Sequence, residues 1–400
     1  MKKLMVVLFA ALLLVAFSVP AMAQLSQSST QWGFYGSARM FTAYGSKDKA
    51  TPTGLFGAPG NPPSFSLTTG PGAPTFDDED IAWQLQDNSR FGVNVAAGAI
   101  TGQVEMGNDA PGSNFETIRL RIIKGTWNFG PGALMVGQDY TPLFFPISDQ
   151  CGVIGGDCGL IFWGTVYVGR VPQIRLQMGG FQFALLSPAR AANGGQPAHA
   201  YTANSGFTAV EYDTTFPKVE ASYTFNLGPA ALFVGGGYST HDMVGATDNE
   251  ESVDSWLLTA AVKTAFGPFY INAQVAYLQN PGDYGATQDN LLTRAVWWGN
   301  DLHDVSSWAA ALVAGFKITD SMKLEIGAGG LWNNLDVADG VEAKQNTIAY
   351  YAQFMWSPVK NVFFVPEFGI IDYNNYKLSN TQDQDLGTGW YFGIKWQINF

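Results

Sequence analysis

Five arginines, Arg39, Arg90, Arg119, Arg121 and Arg175, carry the chain's most distinctive chemistry. Each falls on the polar side of a segment whose other side is apolar. A guanidinium presents a planar fork of donors that matches a carboxylate or a phosphate. These arginines either receive such groups from solution or pair with local acids such as Glu105; their spacing admits both. Asp149 and Asp157 share one long polar connection, Tyr140–Gly164. The three histidines, His199, His241 and His303, are far apart in predicted loops, and no GxSxG, HExxH or Walker A motif is present. Bond-making chemistry therefore has no visible apparatus, and an enzyme is not expected. Acidic runs at Asp77–Asp80 and Asp248–Glu251 lack the ordered spacing of a calcium loop. They are read as solvated loops, with divalent-cation binding or bridging to lipopolysaccharide as the alternative. No metal and no cofactor is expected.

The elements that position these residues are strands. The chain closes on GWYFGIKWQINF, where Trp390, Phe392, Ile394, Trp396, Ile398 and Phe400 alternate with Tyr391, Gly393, Lys395, Gln397 and Asn399. A period of two means one apolar face and one polar face. The same alternation recurs in Val219–Phe225, Trp256–Val262 and Trp308–Ile318. At the other end, Lys2 and Lys3, an apolar run from Leu4 to Phe17 and Ala21-Met22-Ala23 read as a secretory signal peptide over residues 1–23. The formal net charge of −12 becomes −14 once Lys2 and Lys3 leave. An acidic exported chain is a poor partner for nucleic acid. Charged residues make up only 14 % of the sequence, against about 25 % in ordinary globular domains. Aromatics also reach 14 % and glycine is abundant. Together with export, this composition fits an outer-membrane β-barrel whose outside faces lipid.

Seven short turns alternate with eight long polar connections. The turns are Ala97–Thr101, Gly130–Gly132, Gly179-Gly180, Gly228-Pro229, Gly267-Pro268, Thr319–Ser321 and Ser357–Lys360. The connections span 45–80, 108–115, 140–164, 188–215, 241–252, 280–304, 333–345 and 374–386. This rhythm predicts an all-β, closed antiparallel transmembrane barrel of sixteen strands, one domain over residues 24–400. Gln31–Tyr44 is the first strand and Gly387–Phe400 the last, so the two must pair for the barrel to close. Apolar sets face lipid, and polar sets with small residues line a wet, open lumen. Parity breaks near Gly169–Pro172, where a bulge is expected.

The signal peptide, the turn-and-connection rhythm, NSRFGV (Asn88–Val93) and the terminal Phe400 together resemble the general porins. These are the sixteen-stranded trimeric barrels of Gram-negative outer membranes, and the resemblance covers the whole mature chain. It implies passive diffusion of small hydrophilic solutes and ions, three copies per assembly, and a terminal Phe400 that serves as a signal to the barrel-assembly machinery. It also implies that the third connection folds inward around residues 140–164 and narrows the pore. There Asp149 and Asp157 would face a basic wall of Arg39, Arg90, Arg119, Arg121 and Arg175. The apolar content of that connection (Leu143, Phe144, Phe145, Ile147, Ile154, Ile161, Trp163) agrees with burial against the inner wall, other connections or a neighbouring subunit. The acidic total suggests a weak cation preference, although charge at the constriction outweighs the total. A solute-specific channel with a lumenal binding site is the alternative function.

Cys151 and Cys158 are the only cysteines. In an oxidising periplasm two nearby cysteines are expected to form a disulfide closing a small loop. Intact mass after alkylation should show no label without reductant and two labels after reduction; double labelling of the unreduced protein would exclude the bridge.

Overall fold

A computed structural model describes residues 30–47, 80–86, 88–108, 118–150, 160–188, 201–203, 209–214, 216–245, 250–286, 292–298, 301–337, 341–378 and 383–400. Sixteen antiparallel strands close into one barrel. They are β1 (Gln31–Lys47), β2 in two pieces (Asp80–Leu85 and Arg90–Ala97), β3 (Ile100–Asn108) and β4 (Ile118–Asn128). Next come β5 (Ala133–Tyr140), β6 (Arg170–Met178), β7 (Phe181–Leu186) and β8, again in two pieces (Ala209–Asp213 and Lys218–Leu227). The second half holds β9 (Ala230–Gly245), β10 (Glu250–Phe266), β11 (Phe269–Gln279) and β12 (Val305–Lys317). It ends with β13 (Met322–Val337), β14 (Val341–Trp356), β15 (Val362–Asp372) and β16 (Thr388–Asn399).

All seven short turns fall where the turn residues place them. Glycines with positive φ occupy five of them: Gly98, Gly130, Gly179, Gly228 and Gly267. β1 pairs with β16 from Ser37 opposite Asn399 to Lys47 opposite Gly389. The Phe400 and Gly36 backbones exchange two further hydrogen bonds, of 2.8 and 3.0 Å. The chain thus ends where its last strand meets its first, and no strand edge is left to face lipid, where an unpaired backbone group is costly.

Side-chain alternation is inside-out relative to a soluble protein. Trp32, Phe34, Trp83, Leu258, Trp308, Leu312, Ile398 and Phe400 are all exposed on the outer face. Inward neighbours such as Arg39, Glu105, Ser255, Thr259 and Glu325 are buried. The inner face is not uniformly polar, however, and this corrects the expectation of an open, polar-lined lumen. Leu257, Leu278, Val305, Ala309, Val313, Leu331, Leu335, Ala343 and Ala349 point inward from β10–β14 and are fully or almost fully buried. They form one apolar cluster with Leu143, Ile147, Trp163 and Val166 of the third connection and Tyr284, Ala286, Leu292 and Val296 of the sixth. Alternation tells which residues leave the lipid; it does not tell whether water or another segment covers them.

The third connection is described over 141–150 and 160–169. Leu143 packs at Gly235, and the Phe145 ring stacks on Phe233 at 4.7 Å, both on β9. Asn272 of β11 donates to the Ile147 carbonyl at 2.7 Å. A single 3-10 turn, Leu160–Trp163, lies against β12, β13 and β14. Gly164 sits so close to the Ala310 carbonyl and to Gly329 Cα that no side chain would fit.

Two local expectations change. No register shift accompanies Gly169–Pro172: β6 runs in unbroken register with β5 from Arg170 opposite Tyr140. Gly169 takes the left-handed turn just before the strand, and the Gln173 side chain bonds the carbonyls of Asp139, Tyr140 and Val171 beside Pro172. The bulges lie instead between β3 and β4 at Glu105/Met106 and between β8 and β9 at Ala209/Glu211. The fifth and seventh connections are also shorter than their polarity suggested. β9 and β10 continue to Gly245 and from Glu250, and β13 and β14 continue to Val337 and from Val341. Polar residues in a ladder that stands beyond the apolar band resemble loop residues in composition alone. Residues 1–23, Cys151, Asp157 and Cys158 lie outside the described residues.

Because backbone, not a flexible side chain, crowds Gly164, Gly164→Ala should destabilise the barrel by about 1–3 kcal/mol through overpacking. Gly102→Ala, where the nearest atom is 3.6 Å away, should not. Denaturant midpoints of the two variants against the parent decide; equal midpoints would mean that the third connection is not seated there.

Candidate functional site

The arginines are gathered by one half of the wall, β1–β6. The β3–β4 bulge is what makes this possible. Glu105 pairs with Ile122, and Met106 with Leu120, so Arg121 is the extra residue. Arg121 and Ile122, 2 % and 6 % exposed, both turn inward, while Leu120 and Ile123 on either side remain on the outer face. Such a re-aiming of adjacent side chains is what a bulge does. The Gln138 side chain of β5 donates to the carbonyls of Leu120 and Arg121, both at 3.0 Å, and so satisfies the backbone that the bulge displaces.

Two acids anchor the basic wall. Glu105 receives Arg121 Nε at 2.8 Å and Tyr35 Oη at 2.9 Å, and Arg90 Nε lies 3.5 Å away. Gln103 in turn donates to the Tyr35 hydroxyl. Asp139 of β5 holds Lys124 and Arg175 through one oxygen, each at 2.8 Å, and Arg175 also donates to the Tyr140 carbonyl. Arg39 is buried on β1, its Nε donating to Ser37 Oγ at 2.8 Å. Its backbone is clasped by Ser89, which spans the break in β2. Arg119 is half-buried on β4.

Across the lumen the third connection is tied down by acids of the opposite wall. Glu325 of β13 accepts from Ser148 Oγ at 2.9 Å, the Asp149 amide at 3.0 Å, Tyr351 Oη at 2.8 Å and Gln353 Nε2 at 2.9 Å, and from Tyr270 Oη. Glu367 of β15 accepts from Tyr391 Oη and from Gln150 Nε2. Asp149 is ion-paired with Lys323 of β13 and remains largely exposed. The five arginines thus share one wall, and Asp149 belongs to the segment held on the other.

Sequence reasoning missed Lys124 and Asp139 in the basic wall and Lys323, Glu325 and Glu367 beneath the third connection. Lys124 had a usable signal, the inward parity of β4, hidden by the undetected bulge. The partners of Glu325 have none, because they lie far apart in the chain.

Glu105→Ala leaves Arg121 buried without its carboxylate. Breaking a buried pair from one side costs roughly 3–5 kcal/mol. The denaturant midpoint should fall accordingly, with Glu105→Gln falling less; an unchanged midpoint in the alanine variant would show that Glu105 is not the anchor.

No family model and no curated protein matches the chain. Solved structures do. The outer-membrane channel DcaP of Acinetobacter baumannii superposes with a TM-score of 0.65 at 14 % identity, over 94 % of this chain and 99 % of that one. An anion-selective porin from Comamonas acidovorans gives 0.57 at 12 % identity, over 93 % and 100 %. OmpF of Salmonella typhi, in complex with daunomycin, gives 0.52 at 12 % identity, over 92 % and 97 %. The chain has the sixteen-stranded fold of the outer-membrane porins.

Proposed function

We propose that the chain is an outer-membrane porin that lets small hydrophilic solutes and ions diffuse passively along the β1–β6 half of its lumen. One observation carries this reading: the apolar cluster fills the side of β9–β14, whereas the facing side presents Arg39, Arg90, Arg119, Arg121, Lys124 and Arg175 around only two acids, Glu105 and Asp139. The remaining path is lined by charge and closed to apolar solutes. Asp149 stands on the third connection opposite the basic wall, and the two together form the constriction. Local charge, not the acidic total, sets ion preference, so anions pass more readily than cations. A porin of similar fold is named for anion selectivity. Three copies assemble, each with its own path, and Phe400 marks the chain for barrel assembly. A saturable, solute-specific channel is the second reading; the extent to which connections fill the lumen favours it.

Planar-bilayer recordings of the unheated, detergent-purified protein under a KCl gradient test this. Discrete steps with an anion-sign reversal potential are expected. Arg90→Ala/Arg119→Ala/Arg175→Ala should lower the anion-to-cation permeability ratio by about two-fold or more, as loss of lining charge does. A cation-sign potential in the parent would overturn the anion preference, and silent membranes would overturn the open channel. Conductance that saturates with one solute would select the second reading.

A further inference from the structure

The third connection is not alone in turning inward. The sixth begins at Asn280, whose left-handed backbone (φ 48°) is pinned by bonds to Asp304, to the Asp254 carbonyl and to Val305. A one-turn helix, Pro281–Tyr284, follows and ends at Gly285, also left-handed (φ 76°). Tyr284 is 0 % exposed. Its ring lies over Gly237 of β9, where a side chain would collide with it. Its hydroxyl donates to Glu220 of β8 at 3.0 Å, and Lys218 Nζ donates to its carbonyl at 2.8 Å while lying 3.7 Å from its ring centre. Farther along, the Leu292 amide donates to Gln345 of β14 at 3.3 Å, and Tyr167 of the third connection donates to the Ala286 carbonyl at 3.3 Å. The sixth connection therefore spans from β8 to β14 and rests on the third.

We propose that this connection is a second, releasable constriction of the channel, latched by Tyr284. It rests on the channel reading above. The energetics favour a latch over a permanent plug. Closing it buries Lys218 and Glu220, 2 % and 1 % exposed, and leaves Glu220 Oε2 without a hydrogen-bond partner. Burying an imperfectly satisfied ion pair consumes much of what the Tyr284 contacts contribute. Opening rehydrates both charges, so the two states lie close in free energy. Asn280 and Gly285 supply pivots at the two ends of the turn.

Asp283 adds a pH dependence. It accepts from the Ala295 amide at 2.8 Å and faces Arg294 at 3.5 Å, with Asp304 on the segment behind and His241 of β9 beyond Arg294. Burial, opposed by Arg294, pushes its carboxyl up to about 6. An acid with a raised pKa stabilises its state below the ordinary carboxylate range and loses that contribution as pH rises through 6. Acidification from pH 7 therefore favours the latched state.

Conductance and trypsin cleavage after Arg294, read on the folded full chain, test the latch together. The Arg294–Ala295 bond is shielded in the latched state, Ala295 being 0 % exposed. Tyr284→Ala should raise unit conductance by about two-fold and speed cleavage there by about ten-fold or more, as expected when local opening becomes easier. Gly237→Ala, which displaces the ring, should act in the same direction. Parent-like conductance and cleavage in both variants overturn the latch. Faster cleavage with silent membranes from parent and variants keeps a releasable connection but overturns its role in a channel.

Discussion

A closed wall in lipid must satisfy all its backbone groups internally, and that requirement reverses the usual meaning of inside and outside. The outer surface takes the apolar residues, so the wall itself has no interior core. Whatever packs inside must be delivered by the connections. In this protein the third and sixth connections deliver it unevenly. They lay Leu143, Ile147, Trp163, Tyr284 and Leu292 against the inner faces of β9–β14 and leave β1–β6 to charged side chains. Much else follows from that asymmetry, including the position of the path, the sign of its wall and the place of each buried carboxylate.

The buried acids have different tasks. Glu105 and Asp139 organise guanidinium and ammonium groups on the basic side, each acid shared by two cations. Such sharing leaves the wall net positive while keeping each cation oriented. Glu325 and Glu367 instead collect hydroxyl, amide and backbone donors from the third connection. Their role is attachment. Charged acceptors make stronger hydrogen bonds than neutral ones, which suits a segment that must hold its position in a wet lumen.

Glycine permits these close approaches. Tyr351 lies on Gly327, Tyr391 on Gly369 and Tyr270 on Gly315, so each ring folds flat against the inner wall and its hydroxyl reaches a carboxylate. A side chain at any of these glycines would lift the ring from the wall and its hydroxyl from the acid. The abundance of glycine visible in the sequence thus has a second use beyond turns, and composition alone could not separate the two.

The sequence by itself determined the strand faces, the seven turns, the strand count and the closure of the last strand on the first. These are local properties: a period of two, turn residues at hairpin ends and an aromatic terminus can be recognised within a short window. It also placed all five arginines on inward faces. The tertiary structure alone decided that Arg121 is a bulge residue, that Lys124 joins the basic wall through Asp139, and that half of the lumen is filled. Those outcomes depend on partners far apart in the chain, such as the Asp149 amide and Glu325, separated by 176 positions. A register shift of one residue changes which side chain faces inward, yet it leaves almost no mark on composition, and the choice between water and a packed connection against an inner face is settled only when the distant segment arrives.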